Sequence, residues 1–204
     1  MTTIKELINQ ATFEIGDNGI QIPPNFYIKI SNQVIQNIFN WLLTKNIYYK
    51  TEKEDIILLP NIQQYIIKVG KTIKIYKDNI LLDKKPYEFS FEFNFTAEPE
   101  YYFETLTTIG FIPIPNATKT IQRYYISIPN EIIDINNSFS YPSLFERLFI
   151  VMFCLQSLII SEDIDWLKLK AELVPKWQKE QEDLQNNLLQ IYKPISIKSK
   201  NLFD

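Results

Sequence analysis

Any chemistry in this chain has to come from carboxylates, lysine, serine or tyrosine. The 204 residues hold 24 Asp and Glu, 21 Lys and Arg, no histidine and one cysteine. Without imidazole there is no Ser-His-Asp or Cys-His nucleophile. The lone Cys154 builds neither an internal disulfide nor a cysteine-rich metal site. Gly16, Gly19, Gly70 and Gly110 are the only glycines, too few for a Walker loop or a dinucleotide fingerprint. The nearest approach to a catalytic pattern is Asp83-Lys84-Lys85 after the apolar run Ile80-Leu81-Leu82. A Mg²⁺-dependent nuclease uses such a carboxylate to hold the ion and such a lysine to steady the attacking water. Its second acid would be Asp78, too close along the chain, or Asp55, far upstream. Glu88 and Glu92 on one predicted strand face would stand ~13 Å apart, beyond the ~5–9.5 Å of a glycosidase pair. The expectation is no catalytic residue, no cofactor and no metal ligand.

What remains is surface. Lys68, Lys71, Lys74, Lys77, Lys84 and Lys85 gather in one stretch, and the acids Glu88, Glu92, Glu98, Glu100 and Glu104 follow. On neighbouring strands these charges pair and cancel, whereas on separate edges they leave a basic side that could meet nucleic acid. The net charge of −3 and the presence of only two arginines, Arg123 and Arg147, weaken the nucleic-acid reading. Tyr48-Tyr49, Tyr101-Tyr102-Phe103 and Tyr124-Tyr125 cannot all point inward from regular strands, so one of each pair should face outward as an interface anchor. Trp177 and the terminal Leu202 and Phe203 offer further apolar surface. The candidate interaction surface is therefore Lys68, Lys71, Lys74, Lys77, Tyr101, Tyr102, Tyr124, Tyr125, Trp177, Leu202 and Phe203.

These residues need elements to carry them. Thr3 with Glu6 makes a capping box for a helix over Ile4–Gln10. Thr12–Ile15 and Ile20–Ile22 flank Gly16-Asp17-Asn18-Gly19 as a hairpin. The GxxG spacing also occurs in nucleic-acid-clamping KH loops, but here the flanks alternate like strands. Ser31 is placed as N-cap of a helix carrying Val34, Ile35, Ile38, Trp41 and Leu42, which ends near Lys45-Asn46. A second hairpin is expected from Ile47–Lys50 and Ile56–Leu59 around the polar Thr51–Asp55. Strands follow over Tyr65–Val69, Thr72–Lys77 and Ile80–Leu82, the last two joined by an Asp78-Asn79 turn. Aromatics at positions 87, 89, 91, 93 and 95 have period two, which predicts a central half-buried strand. Pro99 and Gly110 bracket a predicted helix over Glu100–Ile109, Phe111–Pro115 is a connection or edge, and Ile121–Ile128 is a strand.

From Pro142 the pattern becomes helical. Pro142–Ile160 is apolar on nearly every face, hence buried. Ser161 caps a second helix with acids at its start and the stripe Trp166, Leu169, Leu173, Trp177, Leu184, Leu188 and Ile191, kinked or split at Pro175. The order of elements from Ser31 to Ile109 is similar to that of small bacterial chaperone-like α+β domains that hold partner proteins, a likeness of fold alone.

The predicted class is α+β, an antiparallel meandering sheet flanked by helices with a C-terminal helical pair. The division is 1–140 for the sheet domain, 141–193 for the helical pair and 194–204 for a tail, together one structural unit. Leu148–Ile160 spans 13 residues, short of the ~20 that cross a bilayer, and the N-terminus lacks a signal-peptide layout. A cytoplasmic location is expected, while abundant Ile, Asn, Lys, Tyr and Phe reflect an AT-rich genome. The function expected is non-enzymatic binding or assembly, an adaptor or chaperone-like role. Its partner would be another protein or a second copy, with nucleic acid or a carboxylate/Mg²⁺ nuclease as alternatives.

Overall fold

The computed structural model describes residues 2–16, 22–47, 50–105, 107–160 and 166–192. The fold is mixed α+β, with antiparallel sheets and a C-terminal helical pair. It divides into two compact units, Met1–Tyr48 with Pro129–Asp204, and Tyr49–Ile128, so the second is inserted into the sequence of the first.

The first unit is helical. The capping box forms as expected: Glu6 accepts from the Thr3 N–H and hydroxyl, and Thr3 Oγ1 accepts from the Glu6 N–H. Helix α1 runs Ile4–Gly16, longer than the sequence suggested. Thr12–Ile15 is thus helix and not the first arm of a hairpin, because Leu7, Ile8, Ala11 and Ile15 continue one buried 3–4 stripe. The expected second arm and turn fall largely outside the described residues. The first N–H groups of α1 donate to the carbonyls of Ile135 and Asn137, which satisfies donors the helix itself cannot.

Helix α2 covers Tyr27–Thr44 and enters through a 3₁₀ turn at Pro24–Phe26, so Ser31 is not its cap. Ser31 lies buried within the helix, and its hydroxyl finds no hydrogen-bond partner among the described residues. The C-terminus is a Schellman motif, with Asn46 N–H on Leu43 O, Ile47 N–H on Leu42 O and Asn46 at φ 53. Helices α3, Glu146–Ile160, and α4, Trp166–Ile191, complete the unit. As its sequence predicts, α3 is buried nearly all round, and α1, α2 and α4 each pack on it. Arg147 on α3 holds both Glu14 of α1 and Glu180 of α4. Pro175 sits inside α4 without splitting it, and Leu173, Trp177 and Leu188 face inward. The predicted Ser161 cap lies outside the described residues.

Among its described residues the second unit has ten strands. They are β1 Glu52–Leu58, β2 Gln64–Ile66, β3 Gly70–Lys77, β4 Ile80–Leu81, β5 Asp83–Lys84, β6 Thr96–Ala97, β7 Tyr101–Glu104, β8 Thr108–Ile112, β9 Ile114–Pro115 and β10 Lys119–Ser127. They form sheets of order β1-β10-β3-β4 and β2-β8-β7-β5, plus the short parallel pair β6-β9. Antiparallel pairing dominates, and β5 with β7 is a second short parallel pair. The core between the two large sheets takes Ile56, Leu58, Ile75 and Ile121 from one, and Tyr102, Ile109 and Phe111 from the other. Asp78 and Asn79, at φ 50 and 66, make the predicted tight turn between β3 and β4.

Four sequence expectations fail in this unit. Phe111–Pro115 is not merely a connection or an edge, because Phe111 and Ile112 end β8, which lies between β2 and β7, and the prolines come only after it. Thr51–Asp55 is not a turn, because Glu52–Asp55 is strand β1, whose alternate residues Glu52 and Glu54 face inward beside Ile56 and Leu58. Glu100–Ile109 is not a helix but the β7–β8 hairpin, with Phe103 opposite Gly110. Tyr87–Phe95 is not a strand. Pro86 leads into a 3₁₀ turn over Tyr87–Phe91, and Ser90 is the only buried residue of that turn. At three residues per turn, every second position scatters round the axis instead of lining one face.

Candidate functional site

The most organised polar site in the second unit centres on Arg123. Alternation along β10 turns Ile121, Arg123 and Tyr125 to the same inner face. All five guanidinium N–H donors are engaged. Nε donates to Thr72 Oγ1 at 2.7 Å, Nη1 to Glu54 Oε2 and Lys68 O at 2.9 Å each, and Nη2 to Gly70 O at 3.0 Å and Glu104 Oε1 at 3.4 Å. The plane also lies over the Tyr125 ring, 4.4 Å from its centroid. A bulge in β3 makes this possible. The β10 register passes from Lys74 to Thr72 between Tyr124 and Tyr125, which brings Thr72 and Ile75 onto one face although they are three apart. Gly70 is required here, since a Cβ would collide with Ile126 O and the Tyr125 ring. Beside the cluster, Glu52 accepts from Tyr125 Oη at 2.9 Å and Ser127 Oγ at 2.8 Å. Those bonds, Ser127's first, hold its carboxyl below the ordinary 4.5. Burial, reinforced by the bond to Glu52, pushes the Tyr125 hydroxyl up to about 12. A guanidinium with every donor satisfied inside the protein has no donor to offer a ligand, so the cluster ties the two large sheets together.

The candidate lysines separate. Lys77 is buried, donates to Pro99 O at 2.7 Å and pairs with Glu98. Lys84 pairs with Glu104 at 3.1 Å. Lys85 caps the Phe89 and Tyr101 rings at 5.3 and 4.9 Å. The mutual cancellation of lysines and glutamates seen as one option in the sequence is thus realised at Lys77 and Lys84. Lys68, Lys71 and Lys74 make no ion pair among the described residues. Lys77 therefore supplies no surface.

The aromatic candidates separate in the same way. Tyr102 and Tyr125 are buried in the sheet unit and Trp177 in the helical unit, so none of them is an outward anchor. Burial pushes the Tyr102 hydroxyl up to about 12. Tyr124 is half-buried edge-on to Tyr76, and Tyr101 is half-buried against Phe89. Leu202 and Phe203 lie outside the described residues.

The exposed aromatic surface lies instead where a central strand was predicted. Phe91, Phe95 and Tyr87 are 67%, 52% and 44% exposed. They belong to two groups of touching rings: Tyr87 packs on Phe91 and Phe103, while Phe89 packs on Phe93 and Tyr101, and Phe93 on Phe95. Each group is anchored to β7, one at Phe103 and the other at Tyr101, while Phe91 and Phe95 meet solvent. Glu88 and Glu92, exposed on the same turn, lie beside the rings, and the 3₁₀ geometry removes the shared strand face expected for them.

Asp83 is exposed on β5, and among the described residues no group of three or more Cys, Asp or Glu side chains is placed to hold a metal ion. Cys154 is buried against Ala11 O, and burial pushes its thiol up to about 12, so no thiolate forms near neutrality. Among the described residues no helix is long and apolar enough to cross a membrane. Comparison with known proteins finds no family model and no curated protein sequence that matches this chain.

Proposed function

We propose that this chain is a non-enzymatic protein-binding or assembly protein of the cytoplasm, and that it holds its partner through the aromatic apron Tyr87–Phe95. The observation that supports this is the exposure of Phe91 and Tyr87 in one group of touching rings and of Phe95 in a second group on the same short segment. Large aromatic rings left in water cost solvation free energy that a partner surface recovers, and Tyr and Phe are frequent interface anchors. The adjoining Glu88 and Glu92 favour a partner with an apolar patch edged by lysine or arginine.

The test is affinity isolation of the tagged chain from its native cells, with mass spectrometry and light scattering, for wild type and Phe91→Ser/Phe95→Ser. A stoichiometric partner or a defined oligomer is expected for wild type. In the double variant the affinity should drop about 30-fold or more, the loss of a hot spot worth ~2 kcal/mol. Thermal unfolding should be unchanged, because both rings are exposed. A wild-type monomer without partner, or a complex indifferent to the double substitution, would overturn the proposal.

A further inference from the structure

The helical unit carries a second, chemically different surface. A cleft of about 500 Å³ lies over α3, with Asn37 and Trp41 of α2 on one side and Gln178, Gln181 and Gln185 of α4 on the other. Met152 and Leu155 of α3 and Val174 of α4 supply apolar lining. Val174, Gln178, Gln181 and Gln185 follow one another at 4-3-4 spacing, so they form one stripe along about 16 Å of α4. No lining residue is charged. The absence extends outward, since between Lys29 and Lys45 the whole of α2 has no charged side chain, and its exposed face is Gln33, Gln36, Asn37 and Asn40.

Neutral amides that both donate and accept match a ligand with free donors and acceptors of the same kind. An extended peptide backbone has them at every residue, whereas a helix has already used its own. This unit already contains such recognition. Asn32 of α2 donates to Ile132 O at 3.0 Å and accepts from Ile132 N–H at 2.7 Å, both bonds to the backbone of a non-helical segment. A stripe of ~16 Å matches about five residues of extended chain. Such a chain presents alternate side chains to the apolar lining, and a charged one placed there would be buried without a partner.

We infer that the α2–α3–α4 cleft binds an extended, uncharged segment of a partner polypeptide, its backbone held by Gln178, Gln181, Gln185 and Asn37 and alternate apolar side chains seated on Met152, Leu155 and Trp41. This site is independent of the aromatic apron and does not rest on it.

The test presents the full chain with two displayed libraries, one of linear peptides of about seven residues and one of longer peptides fixed as helices. Neutral linear sequences with apolar residues at alternate positions should enrich. Methylation of a central backbone nitrogen in the best linear peptide should lower its affinity about tenfold or more, as should Gln178→Leu/Gln181→Leu in the protein. The double variant should keep the wild-type unfolding midpoint and its response to the Phe91→Ser/Phe95→Ser pair. The inference is overturned if only helical or charged peptides enrich, or if nothing enriches. It is equally overturned if N-methylation or the glutamine substitutions leave affinity unchanged. A Gln181-dependent dimer, or enrichment only after truncation at Tyr192, would assign the cleft to a second copy or to the chain's own C-terminus instead.

Discussion

At the level of single residues, position in the alternation decides chemistry more than residue type does. Arg123 could be anticipated from β10 alone, because Ile121 and Tyr125 two residues either side share its face. Its partners could not: Thr72 reaches it only through the β3 bulge, and a bulge has no signature in the spacing of Lys71, Ile73 and Ile75. Lys77 shows the same limit, since a lysine at a strand end is ordinarily solvated, and only the nearby Pro99 carbonyl and Glu98 make its burial tolerable. Glu52 gives a measurable consequence. Its folded-state pKa lies below its ordinary 4.5, because Ser127 and then Tyr125 donate to the charged form. The stability it confers is therefore complete above the unfolded value and is lost as pH falls through the lower, folded one. Ser127→Ala removes the larger donor. Urea unfolding should show the variant about 1 kcal/mol less stable at pH 7, with the gap closing as pH drops below 4.5. A gap that widens on acidification would contradict this account of Glu52.

At the level of elements, sequence spacing identified those whose information is local. The capping box at Thr3, the Asp78-Asn79 turn, the end of α2 at Asn46 and the all-round apolar α3 are each specified within a few residues. The failures are elements defined by what lies opposite them. Period two in Tyr87–Phe95 describes a strand only if a partner strand is available, whereas here Pro86 starts a 3₁₀ turn and the rings pack on one another. In the β7–β8 hairpin, Pro99 and Gly110 looked like helix punctuation. Gly110 has another duty, because a Cβ there would run into the Phe103 ring that covers it from across the ladder. Gly110→Ala should therefore destabilise the protein by about 1–3 kcal/mol. In a Phe103→Leu background, where that ring is gone, the same substitution should cost at least ~1 kcal/mol less. Equal costs in both backgrounds, measured by a double-mutant cycle in urea, would show that backbone conformation and not the ring excludes the side chain.

At the level of the molecule, the insertion of residues 49–128 into a helical unit gives each part its own interior, one made by sheet-on-sheet packing and one made around α3. An interior of this kind is a cooperative unit in its own right. The two can be followed separately because Trp41, Trp166 and Trp177 all belong to the helical unit, while the sheet unit has no tryptophan. Arg123 supplies the perturbation. Arg123→Met takes the guanidinium from the largely buried Glu54 and leaves Glu104 only its pair with Lys84, and breaking a buried pair costs about 3–5 kcal/mol. In sub-denaturing urea, amide exchange followed by mass spectrometry should show residues 50–128 losing protection, while tryptophan emission keeps its wild-type midpoint. Adding Glu54→Leu and Glu104→Leu should recover most of the loss, because well-packed apolar groups replace a buried ion cluster at little cost. If tryptophan emission moves together with the exchange of residues 50–128, the units unfold as one. Partner capture at the aromatic apron would then be felt at the amide-lined cleft through a shared unfolding equilibrium, and with separate transitions the two surfaces work independently.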